Sequence, residues 1–224
     1  MAKNKEIAVI DCAVESPVID CFNDLVRTHC LNATYHQPAI FDPRTLSTIP
    51  NCDGIFLLGS ASSVYDATPW KKSLIQSLKE AFRNKVPTLG ICYGHQLIAH
   101  IFGAEVGFIF EDKKKLKGSR SIELATDFGN ISKSSRLELV ISHREEVKNI
   151  PEDFERLAHS DEIAVEALKH KELPIYSFQA HPEASFYFME SNVGLTDKEK
   201  QMQLKENGNY IIEEFLKLTG LKTP

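Results

Sequence analysis

The chain has 224 residues, of which 42% are hydrophobic and 25% charged, so it can bury a substantial core within one domain. Its 26 basic and 31 acidic residues give a net charge of −5, unlike the basic surfaces that bind nucleic acid or membranes. Residues 1–30 show no basic-then-apolar leader pattern and no run of about 18 apolar residues occurs, so we expect a soluble, cytoplasmic protein that binds neither nucleic acid nor membrane.

The first 102 residues alternate short β-branched runs with amphipathic stretches. The strand-like runs are 6–11, 32–40, 53–60 and 86–92. The helical stretches are 16–30, 69–85 and 93–102. Short apolar strands separated by helices predict βαβ units and a buried parallel sheet.

From about residue 105 the pattern changes to strand-like pieces without helices between them. These pieces are 121–125, 136–143, 154–160, 163–169 and 174–181. They favour an antiparallel extension, and residues 197–220 predict a final helix that packs on the sheet. The lysine-rich segment 111–120 is typical of a solvated hairpin or loop. The predicted fold is α/β: a flavodoxin-like, doubly wound, mostly parallel sheet with an antiparallel extension, forming one domain over residues 1–224.

The cysteines and histidines do not indicate a disulfide framework or a metal centre. No Cys-x-x-Cys pair is present, and the odd number of cysteines argues against systematic pairing. No His, Cys, Asp and Glu grouping has zinc-like spacing. We predict no metal and no cofactor.

The segment "GICYG" (90–94) places Cys92 between two glycines where an apolar strand meets a helical pattern. This is the spacing of a nucleophile elbow, in which the nucleophile takes a strained conformation and small neighbours let strand and helix approach closely. A helix N-terminus favours negative charge, and the thiolate is the species that attacks a carbonyl. A buried, inert cysteine is the alternative interpretation of this motif alone.

The segment "QAHPEAS" (179–185) supplies a candidate base for this nucleophile. His181 follows the last strand-like run, and Glu183 can turn its carboxylate to the imidazole and fix its tautomer. Neither motif is specific alone, but the two together favour cysteine-dependent catalysis.

At these residues the sequence resembles class I glutamine amidotransferases, which pair G-x-C-x-G-x-Q with a late H-P-E. The matching segments are "GICYGHQ" (90–96) and "HPE" (181–183). The stretch "SHREEVKNIP" (142–151) makes the glutaminase domain of GMP synthetase and its free-standing relatives the most similar branch. The resemblance implies glutamine as substrate and a catalytic triad of Cys92, His181 and Glu183.

The resemblance also implies roles for residues around the triad. The oxyanion hole would use the amide of Tyr93 and that of Gly59 or Ser60. The residues expected to bind the substrate are Gln96, Ser142, His143 and Arg144.

Two departures from the family pattern bear on the substrate. The loop that reads Ser-Gly-Gly-Pro in the family is "LGSA" here, with Ser60 and Ala61 in place of glycine and proline. Arg144 replaces a small residue, so it either crowds glutamine or pairs with a substrate carboxylate. We expect ammonia to pass to an unidentified acceptor or partner synthetase, since no residues remain for an ATP-dependent domain and no P-loop is present.

Three alternatives remain open at this point. A γ-glutamyl peptidase would use the same chemistry on small γ-glutamyl compounds and need no ammonia acceptor. An α/β-hydrolase would use Cys92, an acid such as Asp161, and His181 in that chain order. A non-catalytic relative would fit the altered oxyanion loop.

Overall fold

A computed structural model describes residues 5–221, so both ends of the predicted domain, 1–4 and 222–224, lie outside the described residues. The first part of the chain forms a parallel sheet with the strand order β2-β1-β3-β4. Its strands are β1 (Glu6–Ile10), β2 (Asn32–His36), β3 (Gly54–Leu57) and β4 (Thr88–Ile91). Its helices are α1 (Ile19–His29), α2 (Pro69–Arg83) and α3 (Tyr93–Ile101), with a 3₁₀ segment at Pro43–Asn51.

The second part of the chain extends this sheet. Its strands are β6 (Leu116–Leu124), β7 (Arg136–His143), β9 (Phe154–His159), β10 (Ala167–His170) and β11 (Ile175–Phe178). β11 pairs in parallel with β4, and the remaining four strands continue antiparallel in the order β11-β10-β9-β6-β7. A separate antiparallel pair joins β5 (Val106–Phe108) to β8 (Glu145–Val147).

The sheet is covered on both faces. Along β1, Ala8 and Ile10 pack on one side with α2 and α3, whereas Ile7 and Val9 pack on the other with the C-terminal helix. That helix, α5 (Lys198–Leu218), follows the short helix α4 (Phe186–Phe188) and a π-helical segment, Met189–Val193. This two-faced burial explains the near-continuous apolar strands of the sequence.

Several sequence-based boundaries were wrong. The strand expected at 32–40 ends at His36, and the strand expected at 163–169 begins only at Ala167. Before it, the carboxylate of Glu166 is buried and paired with Arg120 of β6, so this segment is fixed by a charge partner rather than by strand pairing alone. The strand expected at 121–125 begins earlier, because β6 starts at Leu116, inside the lysine-rich segment 111–120.

No helix within residues 5–221 is both long and apolar enough to cross a membrane.

Candidate active site

Cys92 lies at the tight junction between β4 and α3. Its backbone has φ +54° and ψ −103°, a conformation that non-glycine residues rarely adopt. A Cβ on Gly94 would collide with the carbonyl oxygen of Leu57, and one on Gly90 would lie 2.8 Å from the carbonyl oxygen of Gly94. The two glycines therefore allow the close contact of strand and helix that holds the thiol in this conformation.

β11 brings His181 to the same edge of the sheet. Because β11 pairs in parallel with β4, the carboxyl ends of the two strands are adjacent, and the Cys92 amide donates to the Phe178 carbonyl oxygen at 2.8 Å. The His181 amide in turn donates to the Val140 carbonyl oxygen of β7 at 2.8 Å. A Cβ on Gly59 would lie 3.1 Å from His181 Cε1 and 3.7 Å from Cys92 Cβ, so the imidazole and the thiol flank the same glycine.

Glu183 fixes the orientation of the imidazole. His181 Nδ1 and Glu183 Oε1 are 2.8 Å apart, and both side chains are buried. Within residues 5–221, His181 Nε2, the nitrogen on the opposite side of the ring from Glu183, makes no hydrogen bond of standard geometry, and the Cys92 thiol interacts with the imidazole in addition to Glu183. Nδ1 thus bonds to the Glu183 carboxylate, and Nε2 is the nitrogen that can exchange a proton with a reacting group.

The charges around His181 favour its protonated form. Burial by itself would lower the pKa of His181, but the carboxylate of Glu183 and the thiolate of Cys92 outweigh that effect and raise it to about 10. The arrangement therefore supports an imidazolium held between two negative charges.

The segment 59–62, here called the oxyanion loop, follows β3 and lies beside Cys92. The Ser60 hydroxyl accepts from the Ser62 amide at 3.1 Å. Tyr93 is the first residue of α3, and the first amides of a helix have no intrahelical acceptor. The amides of the loop and of Tyr93 thus come from the two segments that border the thiol.

Two cavities meet at Cys92. The larger has a volume of about 270 Å³, and the smaller about 160 Å³. Both are lined by Ser60, Ala61, Cys92, Lys115 and Ser142.

The other lining residues differ between the two cavities. His181 and Glu183 line only the larger cavity, whereas Gln96, His143 and Arg144 line only the smaller one. The imidazole and three of the four residues predicted to bind substrate therefore line different cavities beside the thiol, whereas Ser142 lines both.

The structure gives two of the predicted substrate-binding residues buried internal partners. Gln96 Nε2 donates to the Glu145 carbonyl oxygen at 2.7 Å and to Gln179 Oε1 at 3.0 Å. His143 has Nδ1 3.0 Å from the same carbonyl oxygen and Nε2 3.2 Å from an Arg120 nitrogen. Burial and the Arg120 charge lower the pKa of His143 to about 4, so this ring is neutral at pH 7.

Arg144 and Ser142 are placed differently from these two. Arg144 is exposed, and its Nη2 donates to the Ala61 carbonyl oxygen at 3.0 Å. Ser142 is buried at the end of β7, where it borders both cavities.

Sequence reasoning missed Lys115 and Glu145. Lys115 borders both cavities, and burial lowers its pKa although the Cys92 thiolate opposes that shift. Its only sequence signal was a lysine-rich run typical of solvent-exposed loops. Glu145 is buried at the end of the smaller cavity, and its carboxylate accepts from the Ser63 hydroxyl at 3.0 Å.

Asp161, the acid required by an α/β-hydrolase arrangement, is exposed and lines a separate depression with Arg120 and Arg136. The carboxylate that contacts His181 Nδ1 belongs to Glu183.

Comparison with known proteins agrees with this geometry. A sequence model of the family "Glutamine amidotransferase class-I" matches residues 11–192, and the chain belongs to that family. The A subunit of the glutamine-hydrolyzing GMP synthase from Methanocaldococcus jannaschii is 39% identical over 142 residues, which are 63% of this chain and 65% of that protein. The corresponding Pyrococcus furiosus protein is 46% identical over 100 residues, 45% of this chain and 52% of that protein. The matched segments thus span between half and two thirds of the length of these relatives.

Solved structures share the fold. A glutamine amidotransferase from Thermotoga maritima superimposes with a TM-score of 0.75 at 18% identity, covering 98% of this chain and 99% of that one. A protein from Thermoplasma acidophilum, described as a possible A subunit of GMP synthase, gives 0.70 at 23% identity, covering 98% and 96%. The predicted flavodoxin-like, mostly parallel α/β fold with an antiparallel extension is confirmed, as is the resemblance to class I glutamine amidotransferases.

Proposed function

We propose that this chain hydrolyses the side-chain amide of glutamine through a γ-glutamyl thioester on Cys92. The observation that carries the proposal is the buried imidazole of His181, bound to Glu183 through Nδ1 and without a hydrogen bond of standard geometry at Nε2 among the described residues, beside a cysteine at φ +54°. A buried imidazole that is bound to a carboxylate through Nδ1 and lies beside a cysteine has the arrangement that a general acid–base partner of a thiol requires.

The chemistry proceeds in two halves. The Cys92 thiolate attacks the amide carbon and forms a C–S bond, and the His181 imidazolium gives its Nε2 proton to the departing nitrogen as the C–N bond breaks. The imidazole then takes a proton from water, whose oxygen attacks the thioester, releasing glutamate and restoring the thiolate. Glu183 keeps Nδ1 protonated and so fixes the orientation of Nε2 throughout.

The amides of Tyr93 and of Gly59 or Ser60 stabilise the oxyanion in this proposal. Support for this assignment is that the two segments that carry these amides adjoin Cys92, since an oxyanion hole needs donors next to the reacting carbonyl.

In this proposal, different parts of the substrate occupy the two cavities. Because His181 protonates the leaving nitrogen, that nitrogen must depart on the His181 side, into the larger cavity. The amino-acid portion then occupies the smaller cavity, where Lys115 supplies positive charge for a carboxylate and Glu145 borders the amino group.

We further propose that the released ammonia serves a partner synthetase. Several similar proteins are described as the A subunit of a glutamine-hydrolyzing GMP synthase, which supports glutamine as substrate and a partner that uses its ammonia. The altered oxyanion loop fits this function, since a protein that works with a partner should waste little glutamine alone.

A second candidate function is cleavage of small γ-glutamyl compounds. The observation that favours it is the size of the larger cavity, about 270 Å³. A molecule as small as water or ammonia needs only about 30 Å³. The leaving group on the His181 side has room to be an amino acid.

One experiment separates the two. We would measure kcat/KM of the purified chain for glutamine and for a γ-glutamyl dipeptide, with and without clarified lysate from its source organism, using C92A as the blank. A glutamine rate that lysate raises supports the amidotransferase with a partner. Fast dipeptide cleavage by the chain alone, unaffected by lysate, supports the peptidase instead. No Cys92-dependent turnover of either compound would refute both.

A further inference from the structure

The oxyanion loop is held from one side by a turn of the antiparallel part of the sheet. This turn, residues 143–145, connects β7 to β8. Arg144 Nη2 donates to the Ala61 carbonyl oxygen at 3.0 Å. Immediately beyond the loop, the Ser63 hydroxyl donates to the carboxylate of Glu145 at 3.0 Å.

The turn itself is firmly anchored. The Glu145 carbonyl oxygen accepts from Gln96 Nε2 at 2.7 Å and lies 3.0 Å from His143 Nδ1. The Arg144 carbonyl oxygen accepts from the Ile109 amide at 3.0 Å. The backbone from which the arginine side chain extends is therefore fixed, although the side chain itself is exposed.

The segment after the loop is anchored as well, and the peptide group between Ala61 and Ser62 is held by two side chains, Arg144 at its oxygen and Ser60 at its nitrogen. The Asp66 carboxylate accepts from the Ser62 hydroxyl at 2.6 Å and from the Ser63 amide at 2.8 Å. Lys71 Nζ donates to the carbonyl oxygens of Ser63 and Asp66. On the other side, Gly59 is packed against His181 and Cys92.

We propose that Arg144 is a positioning residue that holds the oxyanion loop, and through it the loop amide that stabilises the reaction's oxyanion. A guanidinium on the Ala61 carbonyl oxygen fixes the plane of the peptide group between Ala61 and Ser62, and a peptide plane sets the direction of its neighbours' amides. The two departures from the family pattern thus form one contact: the arginine holds the loop segment that has lost its glycine and proline. The inference rests on the proposed amide hydrolysis for its effect on rate.

This role differs measurably from direct substrate binding. An arginine that pairs with a substrate carboxylate in both ground and transition states changes KM and leaves kcat alone. An arginine that positions an oxyanion donor changes kcat, since the donor acts as negative charge develops on the oxygen.

The activity test compares wild type with R144A, R144K and R136A. Loss of one oxyanion donor slows reactions by roughly 10²-fold or more, so partial misplacement in R144A should lower kcat by about 10-fold with KM within twofold. R144K, which can still donate to Ala61, should recover part of that loss. R136A is the matched control: Arg136 is also exposed and lies at the far end of β7, roughly 26 Å away along the strand.

Two further measurements test the positioning role of Arg144 independently of the proposed hydrolysis of glutamine. Alkylation of Cys92 by iodoacetamide needs no oxyanion hole, so its rate should be unchanged in R144A. Hydrogen exchange of amides 59–62 should accelerate in R144A and not in R136A, whether or not the chain hydrolyses glutamine.

A rise in KM at constant kcat, unchanged exchange at 59–62, or lost Cys92 alkylation would each overturn the positioning role. If wild type turns over no γ-glutamyl substrate, the proposed function fails, and the exchange result alone decides whether Arg144 orders the loop.

Discussion

The two sides of the site are held in place by different means. The nucleophile turn, residues 90–96, is fixed by its own backbone: the φ of +54° at Cys92 and two glycines that permit close contact of strand and helix. The oxyanion loop is fixed by side chains from distant parts of the chain, Arg144 to Ala61 across 83 residues and Glu145 to Ser63 across 82.

This difference makes the nucleophile turn the more rigid of the two segments and the oxyanion loop the more adjustable. Steric constraints within one short segment leave few alternative conformations, whereas a hydrogen bond from an exposed arginine can be broken at small cost. The conformation of the thiol is thus built into the fold, whereas the position of the loop depends on side-chain contacts that can change. The variants below test each side in turn.

The largest effect should come from C92A. Removing the nucleophile of a catalytic triad costs about 10⁶-fold in rate, so glutamine hydrolysis should fall to background. The fold should survive, since one thiol is exchanged for a methyl-sized side chain in a buried position. Steady-state assays and the thermal midpoint check both expectations. C30A removes an exposed cysteine and serves as control. Full activity in C92A would end the thioester mechanism.

E183Q should slow turnover without abolishing it. The amide keeps the size of the carboxylate but removes the negative charge that stabilises the imidazolium and can present the wrong hydrogen-bonding group to Nδ1. We expect roughly a 10²- to 10⁴-fold loss in kcat, smaller than that of C92A. D161N is the control, because Asp161 lies in a separate depression. A wild-type rate in E183Q would remove Glu183 from the triad, and a loss in D161N alone would favour the hydrolase arrangement.

The sequence allowed the first side of the site to be predicted better than the second. Glycine spacing, an apolar strand and a helical pattern lie within about fifteen residues of Cys92, so local rules place the turn. The sequence around Lys115 and Glu145 does not place them at the site. They are brought there by the pairing of β6 with β7 and by the turn that follows β7. The misplaced start of β10 has the same origin: Glu166 is held by Arg120, 46 residues away.

G94A tests whether the nucleophile turn is limited by contact between backbones. A Cβ there would meet the Leu57 carbonyl oxygen, which belongs to a central strand and cannot move aside. Overpacking of this kind costs about 3 kcal/mol of unfolding free energy, to be measured by denaturant titration. In the control, G107A, the added Cβ meets only the flexible side chain of Lys148, so stability should change little. Equal stability of G94A and wild type would contradict the close-contact account.

The smallest predicted effect is a displacement of the basic limb of the pH–rate profile. The folded site raises the pKa of His181 above the ordinary value near 6.5, to about 10. The imidazolium that protonates the leaving nitrogen therefore persists through neutral pH. Its contribution to folding stability is fully present below about pH 6.5 and is lost as the pH rises through the folded pKa.

The charge of Glu183 is one cause of the raised pKa, so E183Q should move the basic limb toward neutral pH while its position in D161N stays that of wild type. The measurement is single-turnover acylation from pH 5 to 11, where chemistry rather than product release limits the rate. Because the Cys92 thiolate also raises the pKa of His181, the limb in E183Q should remain above the position that burial alone would give it. Coincident pH–rate profiles in wild type and E183Q would show that Glu183 orients the imidazole without stabilising its charge. That result would refute the claim that Glu183 raises the pKa of His181, but not the claim that it fixes the orientation of the ring.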